Sequence, residues 1–502
     1  MDLLKTIKEI VGPDYVSDAD FIRQSYGKGI AGGLIEKRPD YVVRPHSVEE
    51  ISEILKVANK EKIPIIPRGG GAGLLDGVLP PKEGGIVLDM TGMDEILDFN
   101  EDNLTVTVQC GITWAQLNTF LMERGYYTGS LGPGSGMSAV IGGGLSHHSV
   151  GGGGAAKYGA VTRHCVGLKV VLANGDIITT GSGASKYIKE PFSRWGLGPD
   201  LTSIFLGDQG IMGIKVEATL LIYPKPKYRS YRTFMIKRKA PKVVSKILLD
   251  YRKAGDLGIY DAFWLPDLSV AAGLGLIVSE FTVFKLWKEV NPKGKDVFFY
   301  TCEAESEEEL EQNVKKLNEL ALQNKGVEMF GPEIEDGNIA KWHYEKNGHW
   351  QIYHGFWGAA GRGSIPQTAE HHIPIHQIPQ MMDALSKWES ENQDLLMKAG
   401  PAIHGLGSAL LCDHTTVEMD SGLIVFNKPE FREINEKLWK SNLEMIVRSG
   451  GMPYMAGMRY SRALIDAGAF SDPYYNFLKA VKYALDPNGI ISPGKFYLGG
   501  KE

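Results

Sequence analysis

The feature that most constrains this chain is the run Pro67-Arg68-Gly69-Gly70-Gly71-Ala72-Gly73, placed directly after the apolar stretch Ile63-Pro64-Ile65-Ile66. Consecutive glycines at the end of a strand leave bare backbone that can turn several N–H groups toward one anion. Upstream, Val48, Ile51, Ile54, Leu55 and Ala58 recur at helical spacing. Helix, strand and glycine loop therefore read as one α/β unit with an anion site at its tip.

The 61 glycines of the 502-residue chain concentrate at 69–73, 129–136, 142–144 and 151–154, which suggests a ligand wrapped by backbone. A net charge of −6 argues against a nucleic-acid partner, since a phosphate backbone needs a basic face. Cys110, Cys165, Cys302 and Cys412 are scattered without CxxC spacing, so neither an iron–sulfur cluster nor a cysteine-built zinc site is encoded. The start Met1-Asp2-Leu3-Leu4-Lys5 has no signal-peptide pattern, and no apolar run reaches the ~20 residues of a membrane span. A cytoplasmic setting with free thiols is the expectation.

Residues 1–226 alternate strand and helix patterns up to Pro224-Lys225-Pro226. Leu104 to Val108 alternates as a half-exposed strand, and Asn174-Gly175 marks a hairpin. From 227 the texture changes to amphipathic helices interleaved with strands, carrying eight of the histidines from His343 to His414. The reading is α+β, with a two-subdomain part over 1–226, a second domain over 227–470, and a C-terminal return over 471–502. The acidic run Glu303 to Glu311 reads as a solvated helix face.

Several templates fail. GxGxxG/A fits Gly134-Gly136-Ala139 and Gly151-Gly153-Ala156, but neither follows a clear strand and opens a helix, so a dinucleotide fold has weak support. Gly489 to Lys495 resembles a Walker loop, yet Phe496 stands where a hydroxyl should hold magnesium. His372 and His376 have zinc-pair spacing, but Pro374 breaks a helix between them, and no metal is expected. There is no GxSxG elbow.

What survives is the order of the glycine clusters: Val43-x-Pro45, Pro67 to Gly71, Ile86 to Met90, Val108-x-x-Gly111, Ile141 to Gly144, Lys157-Tyr158-Gly159, Val171-Leu172-x-Asn174-Gly175, and Ile204-Phe205-x-Gly207-x-x-Gly210-x-x-Gly213-Ile214. This series resembles the flavin domain of the vanillyl-alcohol oxidase / para-cresol methylhydroxylase superfamily. Asp486-Pro487-Asn488-Gly489-Ile490 with Pro493-Gly494-Lys495 is similar to that family's closing signature. The resemblance implies FAD between two subdomains, with a cap over the isoalloxazine ring. It carries cofactor binding onto Pro67, Arg68, Gly69, Gly70, Gly71, Ala72 and Gly73, and onto Gly142, Gly143, Gly144 and Ser146. Gly151, Tyr158, Gly213, Ile214 and Lys495 complete that set, with Ile214 on the adenosine side.

Two branches compete within the resemblance. The 2-hydroxy-acid dehydrogenases carry a His-x-Gly-Asp-Gly-Asn motif, for which the nearest string here is His404-Gly405-Leu406-Gly407-Ser408. The phenol-oxidising branch is matched by Phe192 to Pro199 and by Tyr454, although Met455 stands where its arginine belongs and Arg459 is the substitute. The expectation is therefore an FAD-dependent oxidation of a para-alkylphenol or aromatic alcohol by hydride transfer. A lactate- or glycolate-like dehydrogenase is the alternative, and an electron-transfer subunit without its own substrate is a second. His147 and His148 are the candidate bases, since imidazole titrates near neutrality, or they simply pack beside the flavin. Tyr454 and Arg459 are the candidates for binding the substrate oxygen. Trp350, Tyr353, His354 and Trp357 line a cap pocket or form cap core, and His371 or His372 is a possible covalent tether. Expected partners are a small-molecule substrate, an unidentified electron acceptor, and a second copy in a homodimer.

Overall fold

The computed structural model describes residues 2–29, 37–73, 77–80, 84–151, 153–196, 198–237, 240–266, 295–330, 341, 350, 364–367, 369–399, 407–426, 428–454 and 457–499. Its architecture is α+β, with a glycine-rich part built on two sheets and a cap built on a third.

The first sheet orders its strands Val16–Ser17, Tyr41–Val43, Ile86–Asp89, Ile65–Arg68, the last three mutually parallel. The helix Val48–Glu61 makes the parallel crossover. Ser47 starts it by accepting the Glu50 N–H, and Lys62 ends it in the left-handed region. Its buried Ile51, Ile54, Leu55 and Ala58 pack on Val43, Ile65 and Leu88. The C-terminal segment joins this core through Ile490 and Ile491, and the Ile65 N–H donates to the Ile490 carbonyl at 2.8 Å.

The second sheet has the order Ile96–Asn100, Thr105–Gln109, Ile214–Leu221, Cys165–Val171, Ile177–Thr179, all antiparallel. Val106 and Val108 face its core while Thr107 pairs with Thr219 across the ladder. Asn174-Gly175 turns the hairpin, with Gly175 at φ +87°.

The cap sheet runs Val327–Met329, Tyr228–Lys237, Lys295–Ala304, Ile259–Leu265, Ser408–Cys412, Thr416–Asp420, His371–Pro374, Met452–Pro453. Helices Pro241–Lys253, Glu307–Leu322 and Ile378–Glu391 bury Val244, Leu248, Leu317, Ile378 and Met381 against one face of it. The acidic run divides: Glu307, Glu308 and Glu309 occupy the first turn of a helix capped by Ser306. Glu303, in contrast, is 1 % exposed on a strand, paired with Arg229 and lying 3.6 Å from Lys157. Strand alternation turned it inward, where a helical reading left it in solvent.

The cap is fastened to the glycine-rich part by buried polar bonds. The Asp261 carboxylate accepts the Gly154 N–H at 3.0 Å and the Ala156 N–H at 3.4 Å, starting the short helix Ala155–Tyr158. The Tyr260 hydroxyl donates to the Gly129 carbonyl at 3.2 Å. The 129–136 and 151–154 glycine clusters thus serve this junction.

Candidate active site

The loop after Ile65–Arg68 lies against the segment leading into the helix Ile141–Ser146. A Cβ on Gly70 would sit 1.7 Å from the Ser138 carbonyl oxygen, and one on Gly69 would sit 2.3 Å from Val140 Cγ2. A Cβ on Gly144 would meet the Trp114 indole at 2.6 Å. These contacts permit only glycine, so the two clusters present backbone to each other and to the space between them. The Gly71 backbone adopts φ +67° with the Arg68 guanidinium folded across it. Arg68 itself turns away, donating to the Tyr26 carbonyl at 3.2 Å and lying 4.8 Å from that ring's centre.

Unpartnered buried polar atoms accumulate around this cradle: His147 Nδ1, Gln209 Oε1 and Ser492 Oγ. Pro67 and Ser492 both border Gly210, and His147 faces Gly73 and Gly77. Lys495 is buried here, its ammonium donating to the Gln209 carbonyl. Burial lowers Lys495 to about 8, and burial with the nearby Lys495 charge pushes His147 down to about 3. Backbone cradle, orphaned donors and acceptors, and a buried cation are the complement that an anionic, hydrogen-bonding cofactor requires. The residues present fit FAD.

Strand register builds the facing wall. His371 lies opposite Met419 and Pro453, and His372 opposite Glu418 and Met452. One step along, the Tyr454 N–H donates to the Glu370 carbonyl at 3.0 Å, which aligns Tyr454, Glu370 and Asp420. Side chains alternate along strands, so Tyr454, Glu370, Asp420, His372 and Glu418 share one face. His371, Ile373, Val417 and Met419 occupy the other, which is cap core. The first face meets Val150 and Ala155 through Leu410, Cys412 and Tyr454. Glu370, Glu418 and Asp420 are each partly buried on this face. Burial raises all three, and the neighbouring carboxylates add repulsion at Glu370 and Glu418, Glu370 going well above the carboxylate range and Glu418 to about 8.

The candidate bases diverge. His148, at φ +52°, bonds Thr162 Oγ1 through Nδ1 at 2.9 Å and packs over Gly207, whereas His147 points to the glycine loop. Tyr454 accepts the Val150 N–H at 2.7 Å, and its ring lies 5.1 Å from that of His372. Arg459 is engaged elsewhere, bonded to Gln367, 3.5 Å from Glu436, and stacked over Trp439. Tyr158 bonds the Tyr127 hydroxyl at 2.7 Å within an aromatic cluster that includes Tyr223 and Tyr260. Ser146 Oγ donates to the Gly142 carbonyl, Gly151 abuts Pro133, Gly213 abuts Val170, and Ile214 pairs with Val171. Trp350 reaches Gly136, while Tyr353, His354, Trp357 and His404 lie outside the described residues. His372 is on a strand and His376 in the following 3₁₀ turn, so the pair shares no helix.

Sequence reasoning passed over Glu370, Glu418 and Asp420. The available signal was the alternation Val417-Glu418-Met419-Asp420, which ordinarily marks a strand with one face in solvent. Here the polar face is roofed by the other half of the molecule.

A family model described as "FAD binding domain" matches residues 39–181. The chain is 27% identical to the glycolate oxidase subunit GlcD of Bacillus subtilis over 513 residues, covering 99% of this chain and 97% of that protein. It is 26% identical to the mitochondrial D-lactate dehydrogenase (cytochrome) of Arabidopsis thaliana over 507 residues, 98% and 80% of the two chains. The crystal structure of p-cresol methylhydroxylase with substrate bound superposes with a TM-score of 0.81 at 19% identity, over 99% of this chain and 96% of that one, a likeness of fold. The chain is an FAD-binding oxidoreductase. No helix among the described residues is long and apolar enough to cross a membrane.

Proposed function

We propose that this chain, a member of the vanillyl-alcohol oxidase / para-cresol methylhydroxylase superfamily of FAD-binding oxidoreductases, oxidises the hydroxyl-bearing carbon of a small 2-hydroxy acid. The observation that carries this reading is similarity along nearly the whole chain to a glycolate oxidase subunit and a D-lactate dehydrogenase. When bound, FAD supplies the acceptor for the hydride leaving the substrate. The protein's share is to hold the cofactor, seat the substrate under the cap, exclude water and take a proton. Gly69 to Gly71 and Gly142 to Gly144 offer backbone to the pyrophosphate, while His147, Gln209 and Ser492 offer unsatisfied polar atoms and Lys495 a buried ammonium.

A second reading rests on one observation. Glu370, Glu418 and Asp420 share one strand face with Tyr454, and a further anion there meets repulsion unless these acids stay protonated. A neutral aromatic alcohol or alkylphenol avoids that cost. Anaerobic mixing with D-lactate, glycolate and para-alkylphenols, following loss of the oxidised-flavin absorbance, separates the two. Reduction by hydroxy acids alone supports the first reading, and reduction by phenols alone replaces it with the second.

A further inference from the structure

We propose that Lys495 is the counter-ion of the FAD diphosphate, a buried cation that the fold leaves without a carboxylate so that the cofactor supplies the balancing charge. The role concerns the cofactor alone and holds for either substrate class.

Charge balance singles out Lys495 among the three lysines buried side by side near the cradle. Lys215 lies 2.6 Å from Asp208, and Lys482 lies 2.6 Å from Asp486. Asp208 also accepts the Gly210 and Met212 N–H groups, and Asp486 accepts those of Ile490 and Ile491. Both carboxylates are committed. Lys495, only 5 % exposed, donates to the Gln209 carbonyl and has no carboxylate within ion-pair distance among the described residues. An ammonium carries three donors, and one held by a single carbonyl inside protein is unfavourable until an anion completes it.

Position brings this cation to the glycine loop. Gly210 follows the carbonyl that Lys495 holds. A Cβ built on Gly210 would lie 3.6 Å from Pro67, at the start of the loop, and 3.9 Å from Ser492 Oγ. His147 feels the Lys495 charge ahead of that of Lys215, and its ring lies 4.0 Å from a Cβ built on Gly73, at the loop's end. Gln209 and Ser492, each with an unpartnered buried oxygen, hold φ at +55° and +42°, a conformation that non-glycine residues adopt only under constraint. The backbone on either side of Lys495 is pinned. Arg462 Nε donates to the Gly494 carbonyl at 2.8 Å, and the Phe496 N–H donates to Ser461 Oγ at 2.9 Å. The ammonium is therefore set in place before the cofactor arrives.

A counter-ion of this kind has effects of opposite sign. Without FAD the unbalanced charge weakens the fold, and with FAD it strengthens the complex. A lysine that merely held the Gln209 carbonyl would stabilise both states alike.

The test titrates flavin-free, full-length protein with FAD and with ADP, which keeps the diphosphate and lacks the flavin, and follows thermal unfolding with and without FAD. Lys495→Met removes charge and donor, whereas Lys495→Gln keeps an N–H for the Gln209 carbonyl without the charge. Both variants should bind FAD and ADP about 30-fold or more weakly than wild type. Free of flavin, Lys495→Gln should unfold at the wild-type temperature or above it. FAD affinity within threefold of wild type in the variants would overturn the assignment. So would FAD binding that weakens while ADP binding is unchanged, which would put the charge at the flavin ring. A flavin-free midpoint that drops in Lys495→Gln would also overturn it, marking a structural lysine. Should Lys495→Met fail to fold, Lys495→Gln decides by the same results.

Discussion

The Tyr454 hydroxyl, on the cap, accepts the Val150 backbone N–H of the FAD-binding part at 2.7 Å. This bond joins the two halves beside the strand face that carries Glu370, Glu418 and His372. Replacing Tyr454 with phenylalanine strands a buried N–H, at a cost of about 1–3 kcal/mol. Urea unfolding should show the loss, and the flavin-reduction rate should fall as the cap shifts. Unchanged values of both would show the bond to be incidental.

Gly70 approaches the Ser138 carbonyl too closely for any side chain. Gly70→Ala must displace one loop from the other and open the cradle. FAD affinity should drop by about tenfold or more (~1.4 kcal/mol), read as a lower ratio of flavin to protein absorbance after gel filtration. Gly125→Ala, whose added Cβ meets nothing within 4 Å, is the control for losing a loop glycine without a clash.

Lys482 and Asp486 form a fully buried ion pair at 2.6 Å, and Lys482 also donates to the Ile211 and Ile491 carbonyls. Asp486 in turn accepts the Ile490 and Ile491 N–H groups. This knot fixes the C-terminal segment beneath the cofactor loop. Lys482→Met leaves a buried carboxylate uncompensated and should destabilise by about 3–5 kcal/mol. Denaturant midpoints of the wild type and the variant measure it.

Buried titratable groups set opposing pH trends in stability. His147 protonates near 6.5 when unfolded but only near 3 when folded, so the unfolded state binds the proton first. Stability is complete above 6.5 and declines as pH falls from there toward 3. The raised Glu418 works the other way: it ionises near 4.5 unfolded and about 8 folded, so stability declines as pH rises across that window. Thermal midpoints should therefore flatten on the acid side in His147→Asn and on the alkaline side in Glu418→Gln.

The sequence displayed the cofactor side better than the substrate side for a physical reason. Gly69 to Gly71 and Gly142 to Gly144 do their work through backbone, and glycine runs after apolar stretches are visible as such. The Asn174-Gly175 hairpin and the helix Val48–Glu61 were legible because turn chemistry and helical periodicity are local. Glu418 and Asp420 were not, since their role depends on strands distant in sequence, His371–Pro374 and Met452–Pro453, closing over the same face. Arg459 looked available until its partners Glu436 and Trp439, on the preceding long helix, were in view. Phe192 to Pro199 and Tyr454 suggested the phenol branch, whereas the full-length relatives include hydroxy-acid enzymes.

FAD bound at the glycine cradle should be reduced by a small hydroxylated substrate held under the cap. Purified protein mixed anaerobically with D-lactate or glycolate measures it most directly. The purified protein should be yellow, and its flavin absorbance should bleach on mixing. A protein without flavin, or a flavin that stays oxidised with hydroxy acids, aromatic alcohols and alkylphenols alike, would contradict it.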